Sequence, residues 1–160
     1  MNNLAARVII GIGSPHGDDQ FGWAVINELQ SINEVGVSLR KINHPIDLIT
    51  DLDTHDEVVL IDAAKGLSPE HAFQKLVFNN PVHRKLIQEI PSSGTHDMGV
   101  YETLQLAAML GKRTDHVTLW IGKAAVFDQL AEMATSTKLA AKQCAATIAK
   151  ELCDARNVAC

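Results

Sequence analysis

Apolar residues along the chain fall into two spacings: unbroken runs of strand length, and repeats every three or four positions. Unbroken runs occupy residues 5–13, 57–63 and 116–122, and such runs are typical of strands buried on both faces of a parallel sheet. Residues 35–42 alternate between apolar and polar, and residues 71–78 form a further short segment of strand type. The pattern therefore predicts about five strands.

The repeats at helical spacing predict helices between and after these strands. One helix begins near Gln20, directly after Asp18 and Asp19, which occupy the position expected of an N-cap. Residues 46–52 can form a short helix, and a later helix should stop at Gly111. The positions that mark the three longer helices are Phe21, Val25, Leu29 and Ile32; Val100, Leu104, Ala107 and Leu110; and Leu130, Ala134, Thr137, Ala141, Cys144, Ile148 and Leu152.

The order of these elements defines the expected architecture. Residues 79–94 contain two prolines and a Ser-Ser-Gly run, so we predict a mostly irregular loop there. Elsewhere β and α segments alternate, which favours a three-layer α/β/α sandwich around a mainly parallel sheet. The length fits a single domain over residues 1–160, with a flexible tail at residues 155–160. Ligands in this architecture bind outside the carboxyl ends of the strands.

Composition and charge exclude several classes of protein. The chain is 46% hydrophobic and 21% charged, which is typical of a folded globular protein. Its formal net charge is −5 and its 14 Lys and Arg are scattered, so we expect no nucleic-acid partner. No apolar run approaches the length of a membrane span, and the N-terminal residues do not resemble a signal peptide, so we expect no membrane partner and a cytoplasmic location.

The loop over residues 11–22 (GIGSPHGDDQFG) is the first candidate for chemistry. A dinucleotide fingerprint requires a third glycine where this loop has His16, and phosphate would meet the carboxylates of Asp18 and Asp19. Carboxylates at a helix start suit a cation, although they also stabilise a helix N-terminus without any ligand. Because adjacent acids point in different directions, we expect only one of them to contact a metal, and Asp19 is nearer the helix.

Asp62 and His96 are the other candidates. Asp62 follows the apolar residues 58–61, and a carboxylate at a buried strand end needs a donor or a cation. His96 lies on a loop of small residues before a helix, and neutral imidazole is a common metal ligand. When Asp62 and His96 are considered one at a time, a capping or surface role explains each of them without any metal. If the first and third strands are parallel neighbours, Asp19, Asp62 and His96 converge on a divalent ion such as nickel, zinc or cadmium.

Familiar hydrolase motifs are missing from the sequence. It contains neither an H-E-x-x-H helix nor a G-x-S-x-G elbow. Cys144, Cys153 and Cys160 lie on the last helix and tail without C-x-x-C spacing. We therefore expect no disulfide framework, no cysteine-based zinc site and no cysteine nucleophile paired with His96.

Three segments together resemble the hydrogenase maturation protease family: residues 11–22, residues 60–63 (LIDA) and residues 95–97 (THD). The resemblance implies that Asp19, Asp62 and His96 are the metal-contacting residues. It also implies an endopeptidase that removes a C-terminal extension from the large-subunit precursor of a nickel-iron hydrogenase after nickel insertion. In that reading the nickel is supplied by the substrate and serves recognition, and zinc or cadmium could take its place in crystals.

The chain departs from the family pattern at several positions, which marks it as a divergent member. Ser14 stands where Asn is usual, Gln20 stands where Gly commonly follows the acidic pair, and residues 43–47 (NHPID) replace a Gly-Gly-Thr segment. Two other functions stay open: a non-catalytic binding module or chaperone for a metallated partner protein, and a small-molecule hydrolase or phosphorylase on a similar sandwich. A stable complex without cleavage would distinguish the first of these from a protease.

Overall fold

The computed structural model describes residues 6–32, 37–67, 70–91 and 98–158. Its strands are β1 (Arg7–Ile12), β2 (Val37–Ile42), β3 (Glu57–Ala64), β4 (Phe73–Val77) and β5 (Val117–Lys123). They form one five-stranded sheet in the order β2-β1-β3-β5-β4. All neighbouring strands are parallel except β4, which is antiparallel to β5. The predicted mainly parallel sheet is confirmed.

Helices cover both faces of this sheet. The α-helices are α1 (Phe21–Ile32), α2 (Pro81–Glu89), α3 (Val100–Met109) and α4 (Thr135–Val158), and two 3₁₀ segments are Gly17–Gln20 and Pro45–Asp53. Buried residues of α1 and α4 pack on one face of the sheet, and those of α2, α3 and the second 3₁₀ segment pack on the other. This arrangement confirms the three-layer α/β/α sandwich.

The faces follow from the two-residue period of a strand. In β1, Val8, Ile10 and Ile12 point toward α2 and α3, whereas Ile9 points toward α1 and α4. All four side chains are 3% exposed or less. Because both faces are covered, the strands are continuously apolar, which is the pattern that identified them in the sequence.

Gly22 allows α1 to lie directly against the sheet. A Cβ placed on Gly22 would lie 2.3 Å from the carbonyl oxygen of Ile12 in β1 and 2.6 Å from that of Ile61 in β3. No side chain fits at those distances, so this approach requires glycine. The close contact fixes the start of α1 above the ends of two neighbouring strands.

The segment 79–94 corrects our prediction of a mostly irregular loop, because most of it forms α2. The Asn80 side chain caps the helix by accepting hydrogen bonds from the backbone N–H groups of Val82 and His83 at 2.9 and 3.2 Å. Pro81 occupies the first turn, where its missing N–H has no intrahelical partner to lose. A proline that we interpreted as a helix breaker is therefore part of a helix start.

Three smaller expectations also differ from the structure. Asp18 and Asp19 lie inside the 3₁₀ segment Gly17–Gln20 and do not cap α1. Leu130 is not part of the closing helix, because it precedes α4, has a φ of +55° and is 72% exposed. Residues 155–158, which we assigned to a flexible tail, are the last turn of α4.

α4 is the longest helix, yet many of its positions face solvent with polar or charged side chains. Across the described ranges, no helix combines the length and the apolar character that crossing a bilayer requires.

Candidate functional site

The register of the sheet places Asp62 at its carboxyl edge. Pairing between β1 and β3 ends at Gly11 and Ile61, so Asp62 is the first residue of β3 beyond that pairing, although it still pairs with Ile121 of β5. We expected the strand to end at Asp62, but β3 continues to Ala64, so Asp62 lies two residues before its end. Its position in the two-residue period directs its side chain toward the α2 and α3 face.

Asp19 reaches the same edge from the turn that joins β1 to α1. Its side chain is partly buried, and the Ser14 hydroxyl donates a hydrogen bond of 2.5 Å to its Oδ2 atom. The Ser14 backbone N–H also donates to the Asp19 carbonyl oxygen at 3.3 Å. Ser14 therefore orients the carboxylate through one oxygen and leaves the other oxygen for a further contact.

Asp19 and Asp62 line one cavity of about 370 Å³, which is within the range of small-ligand sites. Its polar wall comes from the β1–α1 turn, the end of β2 and β3. Its apolar wall comes from α2, α3 and β5. Its lining residues include Ser14, His16, Asp19, Asn43, His44, Asp62, Ile87, Ile90, Pro91, Met98, Val100, Tyr101, Glu102, Leu119 and Ile121. As predicted, the parallel neighbours β1 and β3 bring the two carboxylates to one place.

The carboxylates of Asp19 and Asp62 repel each other when both are charged. Burial raises the pKa of Asp62 to about 8, a hydrogen bond from the Ala63 backbone N–H opposes the rise, and the negative charge of Asp19 adds to it. Burial also raises the pKa of Asp19, while the hydrogen bond from Ser14 and the His16 ring oppose that rise. At neutral pH Asp62 therefore carries a proton in the absence of a cation, and a cation bound here would displace that proton.

Asp18 has a structural role, whereas its neighbour in sequence, Asp19, lines the cavity. It is 1% exposed, and its carboxylate accepts hydrogen bonds from the backbone N–H groups of Ala125, Val126 and Ala134 at 2.9, 3.0 and 2.9 Å. Burial alone would raise the pKa of Asp18, but these bonds outweigh it, so the pKa is lowered. Asp18 thus fixes the 124–134 segment against the turn that carries Asp19.

His96, the third residue of the predicted site, lies outside the described residues. The described residues next to that gap are Pro91 and Met98, and both line the cavity. Among the residues that the structure describes, no group of three His, Cys, Asp or Glu side chains is arranged to hold a metal ion. Any third protein ligand for an ion between Asp19 and Asp62 must therefore come from elsewhere.

The two described cysteines, Cys144 and Cys153, both lie on α4. Cys144 is fully buried between α1 and α4, and burial raises the pKa of its thiol to about 12. Cys153 is exposed on α4. No described cysteine lines the cavity.

Sequence reasoning missed Ser14 and His16 as parts of the site. The backbone N–H of Leu130 donates a 3.0 Å hydrogen bond to His16 Nδ1. Ser14 was noted only as a departure from a family pattern. Gln20, another departure, is directed away from the cavity, since its amide donates to the carbonyl oxygens of Gly17 and Ala131.

The fold has known counterparts. No protein-family model and no curated protein sequence matches the chain. HycI, a NiFe hydrogenase maturation protease from Thermococcus kodakarensis KOD1, is 19% identical, and the match covers 92% of this chain and 93% of that one with a TM-score of 0.68. HybD, a NiFe hydrogenase maturation protease from Thermococcus kodakarensis, is 24% identical over 92% and 98% of the two chains, with a TM-score of 0.67. The hydrogenase maturating endopeptidase HybD from E. coli is 12% identical over 94% and 93%, with a TM-score of 0.69.

These similarities extend over nearly the whole of each chain. The sheet order and the cavity define the molecule first as a three-layer α/β/α protein with a carboxylate pair at the carboxyl edge of its sheet. More particularly, its fold is that of the hydrogenase maturation proteases, at sequence identities that suit a divergent chain.

Proposed function

We propose that this chain is an endopeptidase that removes the C-terminal extension of a nickel-iron hydrogenase large-subunit precursor after nickel insertion. The nickel belongs to the substrate, and Asp19, Asp62 and His96 contact it. The main support is that two carboxylates from different elements share one cavity in a fold that this chain shares with hydrogenase maturation proteases. We place the reaction in the cytosol.

The electrostatics of the cavity suit a cation that arrives with the substrate. The carboxylates of Asp19 and Asp62 disfavour each other's charge, and a divalent ion removes that conflict by replacing the proton on Asp62. Nickel accepts oxygen and nitrogen ligands and keeps positions for atoms of the substrate. Zinc and cadmium have similar preferences and should compete in vitro.

We assign the third protein contact of the substrate's nickel to His96. Pro91 and Met98, the described residues on either side of the gap, line the cavity, and His96 lies between them in the sequence. An imidazole would add a nitrogen ligand to the two carboxylates. Substitution of His96 should therefore weaken nickel-dependent recognition.

Nickel contact would position the scissile peptide bond at the cavity. The oxygen of a water molecule bonds to the carbonyl carbon, and the C–N bond breaks with its electron pair on nitrogen. One water proton ends on that nitrogen, and the other is released when the new carboxylic acid ionises. The contribution of the protein is orientation of the two reactants, which is among the larger sources of catalytic rate.

Residues 43–47, which replace the Gly-Gly-Thr segment of the family, should influence which precursor the chain accepts. Asn43, His44 and Pro45 all line the cavity, and therefore stand where an incoming substrate passes. We assign selectivity among precursors to this part of the wall.

The experiment compares nickel-loaded and nickel-free precursors, each mixed with the purified chain and weighed by intact-protein mass spectrometry. We expect release of a C-terminal peptide from the loaded precursor only. Release from neither precursor would refute the proposed activity, and equal release from both would refute nickel recognition. A complex that forms without cleavage and persists for hours would instead support a non-catalytic binding module.

Variants locate the activity at the carboxylate pair. Asp19→Asn and Asp62→Asn keep the size of each side chain and remove the negative charge, so both should abolish nickel-dependent cleavage. Asp154→Asn is the matched control, because Asp154 is an exposed acid on α4 outside the cavity. Its cleavage rate should equal that of the unmodified chain.

A further inference from the structure

The backbone around Leu130 is held in an unusual conformation beside the cavity. Leu130 has a φ of +55°, a left-handed conformation that L-residues seldom adopt, and its side chain is 72% exposed. Packing of the side chain therefore does not explain the conformation. The segment is held instead by its backbone: the Gly17 N–H donates to the Ala131 carbonyl oxygen at 3.0 Å, and the Asp18 carboxylate binds the N–H groups described above.

One result of this conformation is a hydrogen bond to His16. The Leu130 N–H donates to Nδ1 of the His16 ring at 3.0 Å. A nitrogen that accepts a hydrogen bond carries no proton, so the neutral ring has its proton on Nε2. The segment therefore selects one tautomer of His16.

The remaining nitrogen of this ring is available to a ligand. His16 is partly buried and lines the cavity with Asp19 and Asp62. Across the residues that the structure describes, the hydrogen bond found for the His16 ring is the one from Leu130 to Nδ1, and none is found to Nε2. The cavity thus contains one imidazole whose Nε2–H is a free donor.

We propose that His16 is a catalytic residue that donates a hydrogen bond from Nε2–H to the carbonyl oxygen of the scissile peptide bond. The inference rests on the proposed function. As water oxygen bonds to the carbonyl carbon, the carbonyl π electrons move onto its oxygen, and the His16 N–H stabilises that charge without giving up its proton. When the C–N bond breaks, the electrons return to the carbonyl and the hydrogen bond weakens. Donors placed where an oxyanion develops are a major source of catalysis.

The tautomer argues against two other roles for this ring. To bind a metal through Nε2, the ring would need its proton on Nδ1, where it would face the N–H of Leu130. Two donors would then point at each other. A proton shuttle between the two nitrogens would lose the same hydrogen bond at each turnover. Donation from Nε2–H is the role that leaves this contact intact.

The test uses two substitutions of His16 in the full-length chain, with the nickel-loaded precursor as substrate. His16→Phe keeps a planar ring without a donor, and it should lower the single-turnover cleavage rate about 100-fold while precursor binding changes less than threefold. His16→Gln places an amide N–H donor near the same position and should recover at least a tenth of the lost rate. Melting temperatures of both variants report whether the fold is intact.

A second measurement does not depend on activity. Long-range ¹H–¹⁵N correlation spectra of the wild-type chain identify the protonated ring nitrogen of His16, assigned by comparison with His16→Gln. We expect the Nε2–H form, and the Nδ1–H form would overturn the inference. If the wild-type chain cleaves the precursor and folded His16→Phe cleaves it equally fast, the donor role fails and the proposed function stands. If the wild-type chain cleaves no precursor, the proposed function fails and the donor role falls with it.

Discussion

Replacing Asp62 by Asn should make the metal-free protein more stable, and the gain should grow with pH. Asn has nearly the same shape as Asp, and its side-chain oxygen can still accept the hydrogen bond that Asp62 Oδ1 receives from the Ala63 N–H at 2.8 Å. The substitution therefore removes the ionisation of residue 62 and little else. Any change in the free energy of unfolding then reports the cost of charge at this position.

The sign follows from the pKa of Asp62, which rises from 3.8 in the unfolded chain to about 8 in the folded one. Below pH 3.8 both states hold the proton and the substitution has no effect through charge. As the pH rises toward 8, the unfolded state ionises while the folded state keeps its proton, so wild-type stability falls. Above the folded pKa the loss is complete, and Asp62→Asn shows its full advantage.

The size of the effect follows from about 1.36 kcal/mol for each unit of pKa shift, which sets an upper limit of roughly 5 to 6 kcal/mol for Asp62. Water can reach the partly exposed carboxylate from the cavity and reduces this cost, so we expect a gain of about 2 to 4 kcal/mol at high pH. Urea unfolding at about pH 4.5, 6.5 and 8.5 would measure it. The exposed Asp154→Asn variant should stay within about 0.5 kcal/mol of wild type throughout.

The reasoning would be refuted if Asp62→Asn were no more stable than wild type at the highest pH. It would also be refuted by a gain that does not change with pH, because such a gain could not come from ionisation. A stabilised but inactive Asp62→Asn variant is the pattern expected of a residue kept for function at a cost in stability.

Three further predictions concern the framework around the site. Asp18→Asn should lower the free energy of unfolding by about 2 to 4 kcal/mol at neutral pH. This loss should shrink below about pH 4, because a carboxylate with a lowered pKa contributes stability that disappears when the folded state is protonated. Urea unfolding measures it, and equal losses at pH 7 and in acid would contradict the prediction. Gly22→Ala should destabilise the fold by about 1 to 3 kcal/mol, since its Cβ would meet two strand carbonyls, and Ser31→Ala on the exposed side of α1 is the control in thermal melts. Asn80→Ala should cost about 1 kcal/mol through loss of the α2 cap, and an unchanged melting temperature would show that Pro81 alone starts the helix.

The layers of the fold could be predicted because the spacing of apolar residues within a short segment distinguishes a strand from a helix. β1 and β3 are continuously apolar since both of their faces are covered. α2 was missed because Pro81 and the polar residues after it resemble a loop when read without the cap at Asn80. Proline can either start a helix or interrupt one, and only its position in the helical turn decides which of the two it does.

The site could be predicted only as far as topology determines it. Parallel strands end at one edge, so the meeting of Asp19 and Asp62 followed from the order of elements. Which of two adjacent acids faces the cavity could be guessed, but the reason could not: Asp18 binds backbone N–H groups more than 100 residues away in sequence. His16 likewise depends on Leu130, 114 residues later. Such contacts leave no periodic signal in the sequence.

The parallel pairing of β1 with β3 also has a kinetic consequence. Each parallel contact joins distant parts of the chain, so the sheet requires closure of long loops and should form late compared with its helices. Without this pairing, nothing in the sheet holds Asp19 and Asp62 at one edge. The metal contact that we propose would therefore be possible only once the sheet is complete, and a newly made or partly unfolded chain would lack it.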